Sequence, residues 1–324
     1  MNRKLNHIWL CGLVSLTLIS CASPPDNPTT SQPTPTETAI TTPKPAQVTL
    51  TPASDNWREK THIHGMAIDP DNPEILYLAT HHGLLQRAED GKWLQVGTDR
   101  SDLMSFAPHP TDNQRFYASG HPPEGGNLGF IVSENKGQDW QLRSLPGVDF
   151  HALAIAPSNP DVMYAWAASG KQGEHGFLTS SDNGKTWQEV QPIGLRGAPF
   201  GLAVDPNHPD HVFATTRNGL FESIDGGKNW MVLPNTKNAP VAGLTLKSEG
   251  EQTVMYGYRL ASDSPGIFRS TDRGKTWELV GEGIEGTILH LAIAPNHPEI
   301  IYAVNDQNQV FQSQDEGKTW NKLS

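Results

Sequence analysis

Apolar residues along this chain come in short runs separated by polar turns, and the runs recur in a fixed order. First comes a segment such as "HGMAID" (64–69), "HALAIAP" (151–157), "FGLAVDP" (200–206) or "HLAIAP" (290–295). A Pro/Asn turn follows ("PDNP", "PSNP" or "PNHP"), then a second apolar run such as "ILYLAT", "VMYAWA", "HVFATT" or "IIYAVN". A variable loop leads into a third run, and a polar "SSDNGKTW" stretch (180–187) turns the chain into a fourth. Short runs rich in β-branched and aromatic residues, bounded by turn formers, read as strands. The Trp residues closing the polar stretch set the period. Trp93, Trp140, Trp187, Trp230, Trp277 and Trp320 are spaced by 47, 47, 43, 47 and 43 residues. Four strands in a 40–50 residue repeat describe a propeller blade. Six repeats predict an all-β, six-bladed β-propeller over residues 55–324, each blade complete in its own four strands.

The polar stretch itself returns as "SIDGGKNW", "STDRGKTW" and "SQDEGKTW", and more weakly as "SENKGQDW". Asp182, Asp225, Asp272, Asp315 and, in the weaker copy, Asn135 are expected to bond nearby backbone N–H groups. The Gly supplies positive φ, and the Trp packs under the neighbouring blade. The pattern Ser-x-Asp-x-Gly-x-x-Trp resembles the Asp-box of BNR-repeat propellers, the sialidase and sortilin-type domains among them. Chemistry needs asymmetry, and a feature copied around a ring has none. The motif is therefore expected to be a structural staple.

Composition fits this picture and adds an address. The 324 residues hold 30 Gly, 26 Pro and nine Trp, which suits a turn-rich β protein. The net charge of −11 and the absence of a basic run exclude nucleic acid and anionic lipid surfaces as partners. Both cysteines, Cys11 and Cys21, lie in the first 21 residues, so the body has no disulfide. Arg3 and Lys4 precede the apolar "IWLCGLVSLTLIS", too short for a comfortable membrane span. This ends in "LISC", which resembles a bacterial lipobox. The resemblance implies a signal peptide (1–20), cleavage before Cys21, acylation of Cys21 with chains such as palmitate, and a place in the bacterial cell envelope, with the outer membrane or periplasmic face favoured. Cleavage would remove Arg3 and Lys4 and no acid, moving the charge from −11 to −13. Residues 21–54 are Pro/Thr/Ser-rich and read as a disordered, semi-extended tether. A monomer is expected.

Function is expected where the repeats differ. In a propeller the start of the innermost strand and the loop between the second and third strands share one face. Those loops measure about 3, 9, 9, 3, 7 and 4 residues for blades one to six. The long ones are "HPPEGGNLG" (121–129), "ASGKQGEHG" (168–176) and "LASDSPG" (260–266). Histidines collect on the same face: His62, His64, His81, His82, His121, His151, His175 and His290. His62 and His64, two apart on a strand, should point to one side. Imidazoles converging from adjacent strands suit Zn²⁺ or Cu²⁺, so His62, His64, His81, His121 and His151 are metal candidates. The same residues also read as a polar rim that contacts a ligand. His208, His211 and His297 fall near the opposite face and read as structural.

Arginines offer a rival reading. Arg100, Arg196, Arg217 and Arg259 fall on the functional face, and Tyr258, Glu124 and Asp102 are available for sialidase-like chemistry. Blade one carries "THIHGMAI" in place of a sialidase Arg-Ile-Pro segment, so no triad is assigned; Arg217, Arg259 and His290 are taken as ligand contacts. The opening "HIHG…DP…P…LY.ATH.GL" (61–84) is similar to bacterial lipoproteins called glycosyl hydrolases for their sialidase-like repeats. More distant likenesses are to the propeller that helps assemble photosystem II and to the far longer two-domain xyloglucan hydrolases. Together these imply a membrane-anchored propeller that binds an extracytoplasmic protein or glycan at its His-rich mouth, with Zn or Cu as a candidate cofactor. The alternative is a sialidase-like exo-glycosidase using the same face.

Overall fold

The computed structural model describes residues 49–169, 176–260, 265–281 and 284–323. Six antiparallel sheets form a ring, each with four strands in chain order from the innermost outward, and the first sheet carries one further strand at its outer edge. The innermost strands are Ile63–Ile68, Asp102–Pro108, Asp149–Ile155, Gly201–Asp205, Val241–Glu249 and Ile288–Ala294. Each packs against its predecessor and successor, and the last against the first. The chain is a six-bladed β-propeller, as its Trp spacing predicts.

The second strands, such as Leu76–Thr80 and Phe116–His121, are almost wholly buried because neighbouring blades cover both their faces. Trp187 packs with Tyr117 and Phe130 of the preceding blade, and Trp230 with Tyr164 and Phe177. Each Asp-box Trp thus fills the seam behind its own blade. Gly184 shows why the motif needs glycine. Its φ is 72°, and a Cβ there would stand 2.1 Å from the Phe130 ring. The motif's polar half closes the hairpin. Ser180 Oγ donates to Asp182 Oδ1 at 2.8 Å and accepts from the Gly184 amide at 2.9 Å, while Asp182 accepts from the Thr186 amide and hydroxyl. The same bonds recur at Asp225, Asp272 and Asp315. In the weaker copy the carboxylate has moved. Asn135 accepts from the Asp139 amide and donates its Nδ2 to Asp139 Oδ2 at 2.9 Å. These bonds lie within the hairpins and hold each one closed.

Blade six meets blade one without sharing a strand. Side chains close the ring: Tyr302 Oη donates to Pro73 O at 2.8 Å, His290 Nε2 to Ile63 O at 2.9 Å, and Asn308 Nδ2 to Arg58 O and Thr61 O at 2.9 and 2.6 Å. One strand was not foreseen. Leu50–Pro52, on the tether side of the expected boundary at residue 54, pairs antiparallel with Trp93–Val96 as a fifth strand of blade one. Its neighbour Thr49 exchanges hydrogen bonds with the Gln138 amide of blade two. A short helix, Trp57–Lys60, then sets Trp57 against Trp93 with ring centroids 4.9 Å apart. The expected signal peptide, Cys11, Cys21, the expected tether as far as residue 48 and His175 lie outside the described residues.

Candidate functional site

The innermost strands reach the mouth face one after another, and most of them carry a bulge there. The ladder skips one residue between Ile63 and Gly65, Leu103 and Ser105, Phe150 and Ala152, and Ile288 and His290. The skipped residues are His64, Met104, His151 and Leu289. A bulged residue leaves the ladder and bends its strand, and all four line the channel beside Phe200 of blade four. Bulging also breaks the strict alternation assumed for His62 and His64. Both rings nevertheless meet His81, His64 stacked on it at 4.5 Å and His62 edge-on at 5.3 Å.

Two residues before the bulges stand His62, Asp102 and Asp149. Each carboxylate faces a histidine from the end of the preceding blade's second strand. His81 Nε2 is 3.8 Å from Asp102 Oδ2, and His121 Nε2 is 3.7 Å from Asp149 Oδ2. His64 Nε2 lies 3.5 Å from Asp102 Oδ1, and His151 Nε2 is 2.7 Å from Asp149 Oδ2. Gly120 permits this approach: a Cβ there would stand 1.8 Å from the Asp102 carbonyl oxygen. His121 Nδ1 is fixed from behind by Gly126 O at 2.9 Å and Asn127 Oδ1 at 3.1 Å.

The environments drive these groups apart. Burial, then the neighbouring His81, His290, His62 and His151, push the His64 imidazole down to about 3, so it is neutral at neutral pH. Burial raises the Asp102 carboxyl against the opposing pull of His81 and His121. The hydrogen bond to Asp149 raises His151, outweighing its partial burial. Burial lowers His290, whose Nε2 already donates to Ile63 O.

Above the channel the mouth opens into a cavity of about 860 Å³. His64, Met104, His151 and His290 line one side, and Gly197–Phe200 with Arg217 and Asn218 line the other. Phe200 is 47% exposed, which offers a flat apolar surface beside polar groups. The expected residues divide accordingly. His62, His64, His81, Asp102, His121 and His151 come together at the mouth, and Arg217 and His290 line its cavity. Arg259 does not join them: it donates to Asn235 O at 3.1 Å and lies over Phe268 at 4.9 Å. Tyr258 is buried between blades five and six, its hydroxyl 3.4 Å from Gly286 O. Glu124 is exposed on the 122–129 loop. Arg100 donates to Gly97 O and Asp99 O of its own turn. Arg196 lines a hollow with Trp230 and Lys237, so of the four arginines Arg217 alone lines the mouth cavity. On the opposite face His208 and His211 contact Asp205, and His297 contacts Glu299, as structural residues would.

Four site residues escaped the sequence reading: Asp149, Met104, Phe200 and Asn218. Asp149 had a signal, since it aligns with Asp102 once His151 is aligned with Met104. Phe200 had one too, at the head of "FGLAVDP" where His64 heads "HGMAID".

Comparison with known proteins agrees with the fold. The BNR-Asp box repeat family matches residues 267–280. A probable oligoxyloglucan-reducing end-specific xyloglucanase of Neosartorya fischeri is 25% identical over 235 residues, 68% of this chain and 24% of that protein. The oligoxyloglucan-reducing end-specific xyloglucanase of Emericella nidulans is 25% identical over 243 residues, 69% and 24% respectively. This chain thus spans about a quarter of the length of the curated relatives it matches. Among solved structures, the Niastella koreensis GH74 enzyme superposes with a TM-score of 0.59 at 15% identity, over 81% of this chain and 45% of that one. The GH74 xyloglucanase of Xanthomonas campestris gives 0.54 at 16%, over 82% and 45%. The structural likeness establishes a shared propeller fold.

Proposed function

We propose that this propeller is a carbohydrate-active module of glycoside-hydrolase type, with the end of an oligosaccharide seated in its channel mouth. The observation that carries the reading is the mouth cavity itself. The lining combines the exposed Phe200 ring with Arg217, Asn218 and His151, the last backed by the buried Asp149. An aromatic face beside convergent polar groups suits a sugar ring. The weak sequence similarity to xyloglucanases supports the same ligand class. Within this reading the His151 imidazolium gives its proton to the leaving glycosidic oxygen as the C–O bond breaks. Water adds to the anomeric carbon and its released proton returns to His151, while Asp149 orients the imidazole and favours its protonated form. Raising His151 above its ordinary value keeps it protonated to higher pH, so the rate should fall as pH rises through that raised value.

Incubation with xyloglucan oligosaccharides, with products resolved by mass spectrometry, tests the proposal. Wild type should release shorter oligosaccharides, and Asp149→Asn should lower the rate at least about 100-fold. A second reading, binding without turnover, is favoured by one observation: Asp102 and Asp149 both already face imidazoles. Saturable binding without product would establish that reading in place of hydrolysis. Neither binding nor product would discard the carbohydrate reading, and an extracytoplasmic protein would become the ligand to seek.

The same proposal gives the propeller an address: the bacterial cell envelope, held as a monomer by a lipidated Cys21 through the 21–48 tether. Palmitate incorporation in cells should disappear with Cys21→Ser, the protein then shifting from the membrane to the soluble fraction. Unchanged fractionation would overturn the anchor.

A further inference from the structure

We propose that His64, His81 and Asp102 form a binding site for a divalent transition metal of the copper–zinc class. One candidate ligand atom from each residue lies within 4.8 Å of the others. His64 Nε2 and Asp102 Oδ1 are 3.5 Å apart, and His81 Nε2 and Asp102 Oδ2 are 3.8 Å apart. Ligands about 2.0–2.2 Å from a tetrahedral ion sit about 3.3–3.6 Å from one another. A small contraction would therefore bring these donors onto one centre.

A second observation points the same way. His64 Nε2 and Asp102 Oδ1 are both buried and have no hydrogen-bond partner among the described residues. Buried polar atoms are normally satisfied, because a donor or acceptor taken out of water without a partner is destabilising. Two such atoms facing each other across 3.5 Å on adjacent blades are what a shared ion would satisfy. Surface histidines scattered at random would not produce that. The scaffold also holds the donors firmly. His64 is fixed by its bulge, His81 stacks on it at an interplanar angle of 27°, and Asp102 opens the next innermost strand.

Two imidazole nitrogens and a carboxylate oxygen form a borderline donor set that takes Cu²⁺ or Zn²⁺ and disfavours Ca²⁺ and Mg²⁺. By the general affinity order Cu²⁺ binds tighter than Zn²⁺. His62, edge-on to His81, is the nearest further imidazole. His121 and His151 sit with Asp149 and are outside the site, which narrows the five-histidine set expected from sequence to two. The inference goes beyond the carbohydrate reading, which uses Phe200, Arg217, Asn218, His151 and Asp149.

The test is calorimetric titration of the untagged full-length chain with CuSO₄ and, separately, ZnSO₄, in a buffer free of chelator and glycan. One equivalent of each should bind, copper more tightly. His81→Ala and Asp102→Asn should each weaken binding at least about 10-fold, and His297→Ala, whose ring contacts Glu299 on the opposite face, should leave it unchanged. Circular dichroism of each variant reports folding. His81→Ala, at a partly exposed ring, guards against loss of fold at the more buried positions. The electron paramagnetic resonance spectrum of the copper-loaded protein should show nitrogen hyperfine structure that changes with His81→Ala. Affinity unchanged in His81→Ala and Asp102→Asn, or no binding by folded wild type, would overturn the site. Because no sugar is present, failure here leaves the carbohydrate reading standing, and failure there leaves this one.

Discussion

The Asp-box carboxylates show how single side chains serve the fold. Asp182, Asp225 and Asp315 are held down to about 2, first by hydrogen bonds from Thr186, Asn229 and Thr319. These folded values lie below the ordinary 3.8, so the ionised form favours the native state. The resulting stability is complete above the ordinary value and is lost as pH falls towards 2. Urea midpoints measured from pH 5 to pH 2 should therefore fall for wild type. They should fall less steeply for Asp182→Asn, which keeps the bonding shape without the charge. Parallel curves would contradict the assignment. At the mouth the sign differs from residue to residue, and that was hidden in the sequence. "HIHG" shows two histidines, but only the bulge at His64 and the burial around it make one of them neutral and unpartnered at Nε2. Asp149 stayed hidden because it precedes the apolar run that marks its strand.

At the scale of elements, the hairpins and strands were readable because they repeat. A Trp every 43 or 47 residues and, in five of the six repeats, a Gly three before it leave little freedom in where the turns fall. Gly184→Ala should cost about 1–3 kcal/mol, since it meets both positive φ and the Phe130 ring. Gly125→Ala, at φ 89° in open space, should cost less. Thermal unfolding of the two variants checks the difference, and equal losses would show that φ alone matters. The strand Leu50–Pro52 was not readable. Three residues of a Pro/Thr-rich stretch carry no apolar pattern, and their pairing with Trp93–Val96 comes from backbone bonds and the Gln138 amide. The bulges were equally hidden, because an extra residue in one strand looks like ordinary sequence until its partner's register is known.

At the scale of the molecule, the ring closes through side chains, and this predicts where it opens first. Asn308 is buried and donates to two carbonyls of the segment leading into blade one. Asn308→Ala should lose about 1–3 kcal/mol. Its hydrogen exchange should quicken at the seam of blades six and one before the other seams, and uniform quickening would contradict that weak point. The ring also explains the division of labour between its two faces. Copies of one hairpin fill one face, while the other gathers imidazoles on blades one to three and an apolar, arginine-bearing wall on blade four. The central claim is that this second face alone binds the ligand. Calorimetric titration of a xyloglucan oligosaccharide into wild type, Phe200→Ala/Arg217→Ala and Asp225→Ala tests it most directly. Wild type and the Asp225 variant should both bind, and the mouth variant should bind at least about 10-fold more weakly. Equal affinity in the mouth variant, loss in the folded Asp225 variant, or no binding by wild type would contradict it.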